Sequence, residues 1–215
     1  MPRVAIVEDH LLLAETLHAA LARTGVDAVL IAPREPDALL SALLQAQPDL
    51  VLLDLDLDGF GESTPLIAPL AEAGVRVLVI TGSNDRLRIA AALEQGALGY
   101  QSKAAGFNAL LHKTALALTA IAPLDAEHRV ELLDELTRSR AARERDLAPY
   151  ATLTAREADT LRALARGWSV ADIAANWVVS ENTVRSHVRG VLAKLGAPSQ
   201  LAAVADAVRT GWFVG

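Results

Sequence analysis

The feature that most restricts the fold of this chain is an alternation that fills its first 120 residues. Short apolar runs occupy Val4–Val7, Ala28–Ile31, Leu50–Leu53, Val75–Ile80 and Leu98–Tyr100. Between and after them lie Ala- and Leu-rich stretches with three-four spacing: His10–Arg23, Asp37–Gln45, Thr64–Ala73, Asp85–Gln95 and Gly106–Thr119. A run with little polar alternation reads as a strand covered on both faces. Strands separated by helices are joined by crossovers, so they lie parallel in one sheet with helices on each side. In such sheets functional groups gather at the carboxyl ends of the strands. Here Glu8 and Asp9 follow the first run and Asp54 the third; Thr81 ends the fourth, and Lys103 comes just after the fifth.

With strand order 2-1-3-4-5, a flavodoxin-like arrangement, those ends converge. Three carboxylates at one place repel, and a hard divalent cation with oxygen ligands, Mg²⁺ or Mn²⁺, relieves the repulsion. Asp54 is then the natural nucleophile toward a phosphoryl group. Thr81 and Lys103 can hold the remaining phosphoryl oxygens as charge develops. Singly, each group has an ordinary role: a solvated strand end, a turn before Gly59, a hydroxyl, a surface lysine. Jointly, each at its own strand end, they form a site. The constellation resembles the receiver domain of bacterial response regulators over about residues 1–120. That resemblance implies that Glu8, Asp9, Asp54 and the main-chain carbonyl of Asp56 hold the metal. It implies that Asp54 accepts phosphate from a sensor histidine kinase, and that Thr81 and Tyr100 relay the event. Asp58 stands where proline is common in the family, and Gly82 where alanine is usual.

The C-terminal third has no strand pattern. Thr154 and Glu157 form a capping box, and Ser169 with Asp172 repeats it. Helices are expected at about 155–166, 170–177, 181–195 and 200–210. In the third of these, Val184, Val188, Val191, Leu192 and Leu195 share one face. Asn182, Arg185, Ser186, Arg189 and Ala193 share the other, which suits base edges and phosphates. The short Val178-Val179-Ser180 link gives helix-turn-helix spacing. From Leu153-Thr-Ala-Arg-Glu157 to Lys194-Leu-Gly the stretch resembles the LuxR/NarL-type helix-turn-helix. The resemblance implies that Arg185, Ser186 and Arg189 face bases or phosphates. It also implies that Ser180, Thr183, Lys194 and Ser199 help hold the DNA backbone, and that the last helix pairs two domains on DNA. Trp177-Val178-Val179 replaces the commoner Leu-Gly-Ile at the turn. His187, bordering the apolar face, reads as a structural histidine.

The expected organisation is therefore a receiver domain over 1–121, a charged helical linker over 122–149 and a four-helix DNA-binding domain over 150–215. In the linker, Pro123 opens and Pro149 closes a helical stretch, Asp125–Leu147, with Val130, Leu133 and Leu136 on one face. Net charge is -6 overall, but residues 151–215 carry seven Lys/Arg against five Asp/Glu, so the only positive segment is the last. A domain with so small an excess has few phosphate contacts to offer, and useful affinity should need two copies.

Cysteine is absent, which excludes disulfides and thiolate metal sites. No long uncharged apolar stretch or signal-peptide pattern is present, so the reading is a cytoplasmic protein with no membrane association. The sequence thus implies a transcriptional regulator rather than an enzyme. Its partners would be a sensor histidine kinase, promoter DNA and, once phosphorylated, a second copy. The residues allow two alternatives. One keeps the DNA-binding domain but makes the receiver a phosphorylation-independent module. The other reads Asp54-Leu-Asp56-Leu as the first motif of an aspartyl phosphohydrolase. That fold needs a further acidic pair after the lysine, and residues 104–121 contain no Asp or Glu.

Overall fold

The structure is a computed structural model and describes residues 1–57, 61–119, 121 and 123–214. Asp58 and Gly59 therefore lie outside the described residues. The chain divides into two compact units, residues 1–137 and 138–215.

The first unit is built on five parallel strands, β1 (Arg3–Val7), β2 (Asp27–Leu30), β3 (Leu50–Asp54), β6 (Arg76–Thr81) and β7 (Gly99–Ser102). They lie in the order β2-β1-β3-β6-β7. This is the expected order. The numbering differs because a small hairpin, β4 (Asp56–Leu57) with β5 (Gly61–Glu62), follows β3. Helices α1 (Leu11–Arg23) and α5 (Phe107–Leu118) cover one face; α2 (Pro36–Ala46), α3 (Ile67–Glu72) and α4 (Arg86–Glu94) cover the other.

The strand sequences explain this sandwich residue by residue. Successive side chains alternate across a strand. Val4, Ile6, Leu50, Leu52, Leu78 and Ile80 pack with Leu17, Leu21 and Leu110 on one face. Ala5, Val7, Val51, Leu53, Val77 and Val79 pack with Leu39, Leu43, Ile67, Leu70 and Leu93 on the other. Both sets are buried, which is why the strands read as unbroken apolar runs.

The linker segment forms α6 (Ala126–Ala151), a helix whose residues are shared between the two units. Its first half belongs to the first unit's core. Leu124, Leu132 and Leu136 are buried in the cluster under α4, with Leu133 packed at its edge. Val130, expected on the buried face, is 57% exposed. The inner face is turned by about one residue because Arg129 reaches the carbonyls of Leu93, Ala97 and Leu98 at 2.9, 3.0 and 3.4 Å. The Leu93 carbonyl, at the end of α4, already accepts the Gly96 N–H at 3.2 Å, and the guanidinium supplies a second donor. Arg86 adds bonds to Glu135 and Glu131 at 2.8 and 2.9 Å. Gly99 permits the approach, since a Cβ there would lie 3.1 Å from Pro123 Cγ.

Pro149 does not end this helix, contrary to the sequence expectation; the helix continues to Ala151. An interior proline removes one hydrogen bond and clashes with a carbonyl, at about 3 kcal/mol. So close to the terminus the loss stays at one turn. It is opposed by burial of Tyr150, with Leu147 beside it, in the second unit's core.

The second unit adds α7 (Ala155–Ala165), α8 (Val170–Trp177), α9 (Glu181–Leu195) and α10 (Gln200–Arg209). Thr154 and Ser169 make complete capping boxes, and Ser180 and Ser199 cap α9 and α10. Val184, Val188 and Val191 are buried as their spacing required. The turn lacking glycine is made by Val178, at φ 55° and ψ 48°. A left-handed conformation costs a non-glycine residue roughly 1–2 kcal/mol, and a β-branched one is especially rare there. The turn keeps its geometry because Val179 N–H bonds the Ala174 carbonyl at 3.0 Å while Ile173 and Ala174 anchor α8 in the core.

Candidate functional site

At the carboxyl edge of the parallel sheet, Glu8 and Asp9 directly follow β1, and β3 ends in Asp54. The side chains of Glu8 and Asp54 are 0% and 1% exposed. Lys103, just past β7, places Nζ 2.6 Å from Asp54 Oδ2 and 2.7 Å from Glu8. Residues 95 positions apart in sequence thus share one ion cluster. Thr81, fully buried at the end of β6, accepts a hydrogen bond from Ser83 N–H at 2.9 Å.

Burial penalises the Asp54 carboxylate and raises its pKa to about 6. The Lys103 hydrogen bond and the Asp56 N–H pull it down, and the Glu8 charge pushes it further up. Burial also opposes the charge on Lys103, but its bonds to Asp54 and Glu8 hold its pKa above the ordinary value. Glu8 Oε2 lies in contact with the ammonium yet accepts no well-directed hydrogen bond, although it is buried. One cation therefore serves two buried carboxylates incompletely. A second, divalent one fits: oxygens of Glu8, Asp9 and Asp54 lie within 4.8 Å of one another, together with a nitrogen of His10. These are oxygen donors of the kind Mg²⁺ takes.

Three neighbours of this site were not singled out in the sequence. His10 directs Nδ1 at Asp9 Oδ1 and Glu8 Oε1, at 2.7 and 2.9 Å. Ser63 is buried and donates to the Asp54 carbonyl at 2.5 Å. Arg88 on α4 binds Asp56 Oδ1 at 2.8 Å and lies 3.6 Å from Glu62, so it ties the β4–β5 hairpin to α4. Only His10 carried a signal, its position directly after the two acids. Tyr100 is half-buried, and its hydroxyl meets His128 Nε2 of α6 at 3.2 Å.

In the second unit, Asn182, Thr183, Arg185, Ser186 and Arg189 are all exposed on α9. Arg185 binds Glu181 at 2.9 Å, one turn back along the helix. Ser180 and Ser199 accept N–H bonds from Thr183 and Ala202, both at 3.1 Å. Lys194 binds Glu157 Oε2 at 2.6 Å and the Thr152 carbonyl at 2.9 Å, which braces α9 against the start of α7. Gly190 faces the same carboxylate, and any Cβ there would collide with Glu157 Oε1.

The Lys194 ammonium, with the Thr154 N–H, holds the Glu157 carboxyl at about 2, against an ordinary value of 4.5. A depressed carboxyl pKa stabilises the fold above the unfolded value and loses that contribution as pH falls through the folded one. The second unit should therefore lose stability between about pH 4.5 and about pH 2. Thermal unfolding of the full chain across that range should show it, and Glu157→Gln should flatten the dependence. An unchanged dependence in the variant would assign the acid loss to other groups.

Comparison with known proteins agrees with both units. The response regulator receiver domain matches residues 4–115, and the luxR family of bacterial regulatory proteins matches residues 151–207. The chain is 32% identical over 208 residues to the probable transcriptional regulatory protein NarL of Mycobacterium tuberculosis, covering 96% of this chain and 94% of that protein. It is 30% identical to the nitrate/nitrite response regulator protein NarP of Escherichia coli, covering 94% and 92%. Among solved structures, RcsB of Salmonella enterica serovar Typhimurium, bound to promoter rprA with the phosphomimetic BeF3-, superposes with TM-score 0.51 at 21% identity. That match covers 96% of this chain and 98% of the other, and speaks for the fold alone. Among the described residues, no helix is long and apolar enough to cross a membrane. The chain belongs to the bacterial response regulators that join a receiver domain to a luxR-family DNA-binding domain.

Proposed function

We propose that the chain is a transcriptional regulator whose DNA binding is controlled by phosphorylation of Asp54 from a sensor histidine kinase. The observation that carries this reading is the bridge from Lys103 Nζ to Asp54 and Glu8, at 2.6 and 2.7 Å, on the open edge of a parallel sheet. It leaves Asp54 desolvated, beside a cation and short of a second one. A carboxylate oxygen of Asp54 attacks the donor phosphorus, and the bond from phosphorus to the donor's imidazole breaks. Lys103 transfers its ammonium from Asp54 to a phosphoryl oxygen, and Thr81 turns its hydroxyl from Ser83 to another. Mg²⁺ held by Glu8, Asp9, Asp54 and the Asp56 carbonyl would neutralise charge on the transferring group.

The output route runs through Tyr100. Its hydroxyl touches His128, and the first half of α6 covers the β7 edge of the receiver. Rotation of Tyr100 toward a vacated Thr81 position would remove the His128 contact and bias α6. The DNA-binding domain then acts as a pair. Leu201 and Val208, 79% and 63% exposed on α10, lie on one stripe and suit a helix of a second copy. Asn182, Arg185, Ser186 and Arg189 read the major groove, while Ser180, Thr183, Lys194 and Ser199 lie along the backbone. Such work places the protein in the cytoplasm with its promoter DNA. Organisation follows the same division: a receiver over 1–121, a linker over 122–149 whose first half docks on the receiver, and a DNA-binding domain over 150–215.

The test is selection of duplexes from a random library by the full chain, with Mg²⁺ and acetyl phosphate. Two copies of a half-site should be recovered, and enrichment should fall sharply for Asp54→Asn. Equal enrichment by the variant would favour the phosphorylation-independent reading.

A further inference from the structure

His10 is the one nitrogen donor among the described residues of the acidic cluster, and an ordinary oxygen-lined cation site does not call for it. It occupies the N-cap of α1 yet makes no side-chain cap bond there. Its ring turns back to the site instead. Nδ1 stands 2.7 Å from Asp9 Oδ1 and 2.9 Å from Glu8 Oε1, while its own N–H donates to Glu8 Oε1 at 3.0 Å. Two carboxylate oxygens and a ring nitrogen at such separations repel unless a positive centre lies between them. A proton on Nδ1 is one such centre; a metal ion is another. The side chain is 70% exposed, so the ring is free to take the Nε2-H form and present its Nδ1 lone pair.

We propose that His10 is a ligand of the divalent ion in this site, and that it shifts selectivity from Mg²⁺ toward first-row transition ions such as Mn²⁺ and Ni²⁺. This rests on the reading of Glu8, Asp9 and Asp54 as metal ligands. The physical reason is donor type. Mg²⁺ is held by oxygen, dehydrates reluctantly and gains little from an imidazole. Transition ions accept imidazole nitrogen readily, and Ni²⁺ gains more than Mn²⁺ along the Irving–Williams order.

The full chain and His10→Ala should be titrated with Mg²⁺, Mn²⁺ and Ni²⁺ by calorimetry, and pulsed electron paramagnetic resonance run on the Mn²⁺ forms. Removing an exposed ring that makes no cap bond leaves α1 intact, and circular dichroism checks this. The variant should bind Ni²⁺ at least about tenfold more weakly, bind Mn²⁺ severalfold more weakly and bind Mg²⁺ almost unchanged. The Mn²⁺ spectrum of the parent chain should carry a nitrogen coupling that the variant lacks. If all three ions bind both proteins alike and no nitrogen coupling is seen, His10 is not a ligand, and the acidic site stands without it. If none of the three binds the parent chain, the metal reading itself falls, and this inference falls with it.

Discussion

Lys103→Met should destabilise the receiver by about 3–5 kcal/mol in metal-free buffer near neutral pH, the range for removing one partner of a buried ion pair. The reason is the depth of the carboxylates it leaves behind. Glu8 and Asp54 are 0% and 1% exposed, and Lys103 Nζ is the cation bonded to both. Asp54 already sits at about 6 with the ammonium in place. Without it, burial and the Glu8 charge act unopposed by Lys103, and the carboxyl titrates higher still. Protonation then removes one of the two charges, so the deficit should shrink as pH falls from about 8 to about 5. Mg²⁺ should restore part of it, since binding to the folded state alone stabilises that state. Urea unfolding of parent and variant, with and without Mg²⁺, reads all three effects. Equal stability at about pH 8 without metal would mean that the cluster is hydrated, and the argument for a desolvated Asp54 would fail.

Arg189→Ala should weaken specific DNA binding by about 1–3 kcal/mol for each copy engaged, roughly 5- to 150-fold for a single domain. Several of the second unit's cations are already engaged. Lys194 is held by Glu157, Arg185 by Glu181, Arg162 by Asp159 and Arg209 by Asp206. Arg189 is exposed in the middle of α9 with no carboxylate within ion-pair distance among the described residues. It can meet DNA without giving up a partner, whereas Arg185 must first leave Glu181. Arg185→Ala should therefore have the smaller effect. Anisotropy titrations on a selected duplex at several salt concentrations separate the possible roles. A lost phosphate contact lowers the salt slope by about one; a lost base contact relaxes sequence preference at a single position. Unchanged binding by Arg189→Ala would move the reading surface off this face of α9.

How much of this could be seen in the sequence depended on distance along the chain and on competition for each side chain. The strand and helix order was legible, because burial on both faces leaves unbroken runs such as Leu50–Leu53. The gathering of the strand-end residues was legible, because sheet topology alone brings positions 8, 54, 81 and 103 to one edge. The inner face of the linker was misplaced. Charges surround Leu132 and Val130 alike, and only the reach of Arg129 to the end of α4 decides between them. The end of the same helix was misplaced at Pro149, where burial of Tyr150 outweighs the proline's local effect. Turn geometry at Val178 followed from the packing of α8 and ran against residue preference. The bracing role of Lys194 was hidden because its partner Glu157 is also a helix-capping acid, and a capping box gives no hint of a third group.

Phosphorylation of Asp54, as proposed, changes the assembly state of the chain. Its most direct test is intact-mass measurement with size-exclusion and light scattering on the full chain and on Asp54→Asn, each treated with acetyl phosphate and Mg²⁺. The parent should gain one phosphoryl group and become a dimer, while the variant gains none and keeps its untreated size. A variant that is phosphorylated or dimerises like the parent, or a parent that does neither, would contradict it.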